Sequence, residues 1–376
     1  MITKDAEKIY PLARFPLFKA EAVARDGRVD ILAKGLLSRL PFVRSAIKMA
    51  DGQVPALAGE KLHLSTWFPP IPSKAFDRLA RSYIKSSFGI RTPDQVTISI
   101  TEECPNRCIH CALPDSGQHH RLEPLEVVDM IDQILDMGTT LIIFDGGEPT
   151  TYSELPRLVR SVDDRAIATM FTSGAGFTLS LARKLKEAGL YAVNFSLDSP
   201  LEKEHDRMRG RSGTFKDALD GVENALEAGL LVDLYVVLRS DNVSLAKDFH
   251  TLARNLGVHE LTFFEIVPTG RWAGKAGVTL SPSDHNFLES FVKSAPSPRV
   301  FSVPSALREF GCFAGRNWLH ITPEGDVYPC ACLPLVMGNA KEEKIDNIWK
   351  RMAKLPYNGQ KTCPMRQQGS TIIYSR

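Results

Sequence analysis

Six short runs rich in β-branched residues recur from Val96 onward, and longer stretches of helical apolar spacing separate them. No other feature constrains the fold as much, because strands alternating with helices of this length build βα units around a parallel sheet. The runs are Val96–Thr101, Thr140–Phe144, Ile167–Thr172, Ala192–Ser196, Val232–Leu238 and Leu261–Ile266. Between the first two, Leu125, Val128, Ile131, Ile134 and Leu135 mark one face of a helix over Leu125–Met137, with Pro124 in its first turn and Gly138 at its end. Leu181–Ala188 and Phe215–Ala228 are predicted as later connecting helices. Six units are too few for a closed eight-stranded barrel and enough for an open one. The predicted class is α/β, a partial (β/α)6 TIM-type barrel, whose reactive groups belong on the loops at the carboxyl ends of the strands.

The first such loop carries Cys104, Cys108 and Cys111 within Thr101–Cys111. A Cys-x3-Cys-x2-Cys triplet supplies three thiolates, whereas a closed [4Fe–4S] cluster or a structural zinc site takes four ligands. Three thiolates on a four-iron cluster leave one iron open, and chemistry can happen there. The competing readings are a zinc knuckle short of one ligand, or buried cysteines without a metal. The second loop is Asp145-Gly146-Gly147-Glu148-Pro149. Two successive residues without a Cβ let backbone amides and carbonyls approach a ligand closely, and a tight turn before Pro149 is the plain alternative.

The triplet and its neighbours resemble the signature of the radical S-adenosylmethionine (radical SAM) superfamily. The resemblance implies that Cys104, Cys108 and Cys111 hold a [4Fe–4S] cluster whose open iron is chelated by the methionine moiety of S-adenosyl-L-methionine. Reductive cleavage then gives a 5′-deoxyadenosyl radical. It also implies that the Gly146, Gly147, Glu148 and Pro149 loop meets the methionine amino group through backbone and carboxylate oxygens. By the same resemblance Ser173, at the end of the third strand, is expected near the cofactor, and Ser196 and Asp198, at the end of the fourth, near ribose or substrate. Arg207 and Arg209 are both candidates to pair with the cofactor carboxylate, and the backbone at Leu238 is expected to flank the adenine, a solvated turn being the plain alternative at each strand end.

The last part of the chain holds the other four cysteines. Trp318–Ile321 and Val327–Tyr328 flank a Pro-Glu-Gly-Asp turn and read as a β-hairpin that brings Cys312 near Cys330, with Cys332 just beyond. An amphipathic helix over Ile345–Met352 and Cys363 follow. This resembles the front half of the SPASM extension, and four cysteines suit one auxiliary [4Fe–4S] cluster, as in the shortened twitch form. A zinc ribbon on the same four thiolates is the alternative. Cys332 is open between cluster ligand and free hydrogen-donor thiol, and the auxiliary cluster between closed and open iron.

The expected division is a basic helical N-terminal extension over 1–92, the barrel over 93–298 and a hairpin-plus-helix auxiliary-cluster domain over 299–376. In 376 residues all seven cysteines are used as three plus four, none is left for a disulfide, and a reducing cytoplasm is expected. A formal net charge of +2 excludes a strong polyelectrolyte partner, and no nucleic acid is expected. No signal peptide, bilayer-spanning run, repeat or low-complexity tract is read. The extension has basic residues among Leu32, Leu36, Leu37, Leu40, Val43 and Ile47 over Ile31–Met49, a pattern for a helix on an anionic membrane or on its own domain. A second basic helix is predicted over Ser73–Ser86. The expected partners are an external one-electron reductant and a substrate. The resemblance favours a peptide or protein residue as substrate, and the basic apolar extension favours a small or lipid-like molecule. Outside the enzyme class stand an iron–sulfur electron carrier and a zinc-stabilised scaffold.

Overall fold

A computed structural model describes residues 7–15, 18–40, 43–44, 47, 51–113, 119–275, 277–357 and 359–366. The chain opens with an antiparallel meander of β1 (Lys8–Phe15), β2 (Phe18–Arg25) and β3 (Arg28–Lys34). This corrects the expected helical extension. Ile31–Lys34 lies in β3, Leu36–Arg39 is a single 3-10 turn, and most of 41–50 falls outside the described residues. The alternation Val29, Ile31 inward and Asp30, Leu32 outward has period two, and Tyr10, Ala22, Ala24 and Leu62 cover its inner face. Leu32 and Leu36, counted as a helix face in the sequence, are 50% and 64% exposed. A two-residue pair, β4 (Leu57–Ala58) and β5 (Leu62–His63), leads to α1 (Lys74–Ser86), the second basic helix expected over Ser73–Ser86, with Ser73 as its N-cap.

The barrel strands are β6 (Gln95–Ser99), β7 (Leu141–Asp145), β8 (Ile167–Thr172), β9 (Leu190–Ser196), β10 (Leu231–Leu238) and β11 (Glu260–Glu265), all parallel and in sequential order. Their outer residues, among them Ile98, Phe144, Phe195 and Phe263, are buried under α2 (Pro124–Met137), α3 (Leu155–Arg160) and α4 (Leu179–Ala188), then, past α5 (Glu202–Arg209), whose Met208 packs with Ile266 and Trp272 instead, under α6 (Thr214–Glu227) and α7 (Ala246–Leu256). Gly138 ends α2 with φ 108°, where a side chain would be strained and would also meet Thr92.

Both ends of the sheet go beyond six strands. After α8 (Pro282–Ser294), β10's neighbour β11 pairs in parallel with β12 (Arg299–Ser302), which leads into α9 (Val303–Phe310). On the opposite edge β13 (Trp318–Ile321) pairs in parallel with β6 and antiparallel with β14 (Val327–Tyr328). The expected boundary near residue 298 therefore falls inside one nine-stranded sheet. The hairpin is a wall of the barrel, and α10 (Ile345–Met352) packs on α2 through Gln133 Oε1, which accepts from Ile345 N at 3.0 Å. Among the described residues no helix is long and apolar enough to cross a membrane.

Candidate radical site and auxiliary cysteine site

The first cysteine loop follows β6 and is tied down by its own backbone. Arg107 N donates to Arg209 O and Ile109 N to Met208 O, each at 3.0 Å, and Arg271 N donates to Cys111 O at 2.9 Å. A Cβ on Gly210 would stand 2.4 Å from Arg107 O, and one on Gly270 2.2 Å from Cys111 O, so both neighbours must be glycine for the loop to lie down. The Gly146–Gly147 pair serves the same packing. Gly147 N donates to Thr101 O at 2.6 Å and Glu148 N to Glu103 O at 2.7 Å, and Cβ atoms at Gly146 and Gly147 would meet those two carbonyls at 2.3 Å. The space a Cβ would need at these two glycines is taken by the backbone of the cysteine loop.

Glu148 is buried, and four donors meet its carboxylate. Thr172 Oγ1, Ser173 N and Ser173 Oγ lie at 2.7, 2.8 and 2.6 Å, and Thr150 N at 3.3 Å. A carboxylate offers roughly four lone-pair sites, so its acceptor capacity is used within the protein. Glu148 thereby joins the ends of β7 and β8, and Ser173 is explained as its partner. Gly146, Gly147, Pro149, Ser173 and Ser196 line the central cavity, whereas the Leu238 side chain is buried in the helix-facing core.

Asp198 is fully buried between Arg209, whose Nε lies 2.6 Å from Oδ2, and His110, whose Nε2 lies 3.2 Å from Oδ1. Burial raises the carboxyl pKa, but Arg209 and then His110 outweigh it and hold Asp198 well below the usual carboxylate range. Arg209 Nη1 also reaches Cys108 Sγ at 3.7 Å, placing a cation beside one thiol of the triplet. Arg207 points away and pairs with Glu204 with 60% of its side chain exposed, so the structure separates two arginines that the sequence left equal. Sequence reasoning missed His110 and Asp145. His110 lies inside the cysteine motif itself, and Asp145 directly precedes the glycine pair. Asp145 lines the cavity, accepts from Ser99 Oγ at 2.6 Å, and is pushed by burial up to about 7 against that hydrogen bond.

The remaining four cysteines converge under the hairpin. Cys312 N donates to Gln360 O at 2.7 Å, Leu333 N to Cys330 O at 3.1 Å and Arg366 N to Cys363 O at 3.1 Å. Burial pushes the Cys330 thiol far up, and the charges of Cys332, Cys363 and Cys312 push it further. Cys332 is pushed up to about 12 by burial and then by Cys363, and it faces the cavity. Arg366, held by Glu265 at 3.1 Å, opposes that rise.

Residues 98–253 match the radical SAM superfamily, and residues 312–364 match SPASM, an iron–sulfur cluster-binding domain. The chain belongs to the radical SAM superfamily. It is an enzyme of that superfamily with a SPASM-type extension, and its cofactors are S-adenosylmethionine, a [4Fe–4S] cluster and a further iron–sulfur cluster. An AdoMet-dependent heme synthase of Oleidesulfovibrio alaskensis is 26% identical over 285 residues, 67% of this chain and 73% of the relative. A GTP 3′,8-cyclase of Desulforamulus reducens is 29% identical over 303 residues, 71% of this chain and 92% of the relative. Streptococcus suis SuiB, solved with its precursor peptide SuiA, shares the fold at TM-score 0.60 and 14% identity, over 76% of this chain and 70% of SuiB.

The radical SAM fold thus carries two cysteine sets whose chemistry fits iron–sulfur clusters. Soft thiolate sets select such clusters or zinc.

Proposed function

We propose that this enzyme removes a hydrogen atom from a C–H bond of a substrate held between the two cysteine sets. One observation carries the reading: a single cavity of about 2040 Å³ is lined by Cys104, Cys108 and Cys111 on one side and by Cys332 on another. Cys104, Cys108 and Cys111 would hold the radical cluster, which with S-adenosylmethionine supplies the 5′-deoxyadenosyl radical. Cys312, Cys330, Cys332 and Cys363 would hold the auxiliary cluster. The backbone at Gly146 and Gly147, with Pro149, Ser173 and Ser196, lines the cofactor's place, while Glu148 positions the strand ends. Arg209, fixed by Asp198, places a cation 3.7 Å from Cys108 Sγ. The protein's own part is to orient the substrate C–H bond and to keep the radical from side reactions. An external one-electron reductant completes the cycle.

Reduced, anaerobically reconstituted protein should form 5′-deoxyadenosine from S-adenosylmethionine without substrate. Replacing Cys104, Cys108 and Cys111 together by Ala should abolish that and remove about half the iron, since each cluster carries four. Cofactor cleavage by the triple variant would remove the assignment.

For the substrate, the cavity favours a largely apolar, lipid-like molecule. The cavity's volume exceeds the about 300–1,000 Å³ of ordinary ligand sites. Its walls include Trp67, Phe68, Phe171, Phe264 and Phe301. A peptide or protein residue is the second reading, supported by the likeness to SuiB with its bound precursor peptide.

A further inference from the structure

The cavity has a wing that neither the radical chemistry nor the auxiliary cysteines explain. It is the part of the same cavity lined by Phe76, Tyr83, Ile84 and Phe88, in and just after α1, and by Phe310 and Phe313, at and just after the end of α9. No element fills this space among the described residues. Unlike the helix-facing core, the wing is continuous with the residues around Cys104 and Gly146. Its outer end is equally unusual. Ile84, Phe88 and Ile90 are 41%, 76% and 57% exposed within seven residues of chain, and Leu40, also on the cavity wall, is 37% exposed. Single exposed apolar residues need no explanation, but a cluster at the mouth of an apolar channel marks a contact surface. Basic residues accompany it: Arg81 lines the cavity, and Lys85 lies in the last turn of α1.

We infer that this wing is a binding channel for the long apolar chain of an amphiphile with an anionic head group, which enters past the exposed end of α1. This inference rests on the hydrogen-abstraction reading above, and it names the class of substrate for that site. The apolar walls take the chain, because burying methylene groups drives such binding at about 0.8 kcal/mol per group. Arg81 and Lys85 favour an anionic head at the mouth, where attraction to an anionic surface is screened by salt. A chain threaded along the wing presents its interior C–H bonds, which have no polar handle, to the radical end of the same cavity. A polar peptide would leave its backbone groups without partners against these walls.

The test uses reconstituted holoenzyme with cis-parinaric acid, whose fluorescence rises on entering an apolar site, and with vesicles of phosphatidylglycerol or phosphatidylcholine. Wild-type protein should bind parinaric acid and should co-sediment with phosphatidylglycerol vesicles at low salt, more weakly with phosphatidylcholine. Ala306→Trp, on the inner wall of the wing, should weaken parinaric acid binding about tenfold, the loss expected when two methylene groups can no longer be buried. Phe88→Glu, at an exposed position that leaves the fold intact, should reduce vesicle binding. Vesicle binding without parinaric acid binding would show a surface contact without a channel and overturn the inference. Parinaric acid binding without vesicle binding would support the channel and assign the chain to a freely dissolved amphiphile. Equal parinaric acid affinity in wild type and Ala306→Trp would overturn it, as would a dimer dissociated by Phe88→Glu, which would mean that a second copy covers the mouth. Substrate-free 5′-deoxyadenosine formation is scored in the same preparations. If it persists while the probes fail, only the channel falls; if it is absent, the radical reading falls instead.

Discussion

At the scale of single residues, the site is organised by backbone contacts that leave no room for side chains. Gly147→Ala puts a Cβ 2.3 Å from Glu103 O, a backbone atom that cannot swing aside. The cysteine loop must move, and a displacement on the order of 1 Å typically costs about a hundredfold in rate. Substrate-free 5′-deoxyadenosine formation should fall by about that factor while the far-UV spectrum stays unchanged; an unaltered rate would show that the loop can yield. Cys330→Ala should behave oppositely, lowering iron content and leaving substrate-free cleavage measurable, because the open iron is at the other set. Zinc in place of iron at this site in anaerobically purified protein would overturn the auxiliary-cluster assignment. The ligands themselves were legible in the sequence because thiolate spacing is a direct record of metal chemistry. The choice between Arg207 and Arg209 was not, since both lie in the last turn of one helix and only burial beside Asp198 separates them. Glu148 was legible as a site residue but not as a satisfied one, because Thr172 and Ser173 reach it from the next strand.

At the scale of elements, strands of the buried parallel sheet declared themselves. Ile167–Thr172 and the hairpin Trp318–Ile321 with Val327–Tyr328 have the bounds their sequences predict, because β-branched runs between turn residues have few other folds. The extension misled because Leu32, Leu36 and Leu40 fall four apart by coincidence, while the period-two pattern that governs β3 is short and one-sided. The partnership between α1 and the barrel was invisible to periodicity. Ser82 Oγ donates to Asp94 Oδ1 at 2.5 Å, and burial pushes Asp94 up to about 6, opposed by the Ser82 and Asn317 hydrogen bonds. Its folded pKa lies above its unfolded value, so stability is fully present below about 4 and is lost as pH rises to about 6. Two units correspond to about 3 kcal/mol, and partial exposure to solvent reduces this to about 1–3 kcal/mol. Asp94→Asn does not ionise. The melting temperature of this variant relative to wild type should therefore rise between pH 4 and 6 and stay level above. A difference independent of pH would show that Asp94 ionises as freely as in an unfolded chain.

At the scale of the whole molecule, three separate stretches of sequence build one chamber: the barrel, the hairpin that extends its sheet, and the extension that closes its floor. The floor is polar at its anchor. Glu260 is fully buried and accepts from Ser65 Oγ at 2.8 Å, Thr66 Oγ1 at 2.7 Å, Thr66 N at 2.6 Å and Arg299 Nε at 2.8 Å. Trp67 Nε1 donates to Thr262 Oγ1 at 3.1 Å, and its ring packs against Phe171 and Tyr235. A buried carboxylate stripped of donors keeps its desolvation cost, and each hydrogen bond to a charged group contributes about 1.5–3 kcal/mol. Ser65→Ala with Thr66→Ala should therefore lower unfolding stability by about 3–5 kcal/mol in urea titration, though both residues lie some thirty positions before the barrel's first strand. Adding Glu260→Gln should not restore the loss, because the amide leaves the Arg299 guanidinium without its ion-pair partner. An extension that merely rests on the barrel predicts no change in the double variant, so the urea titration decides whether the floor is part of the fold.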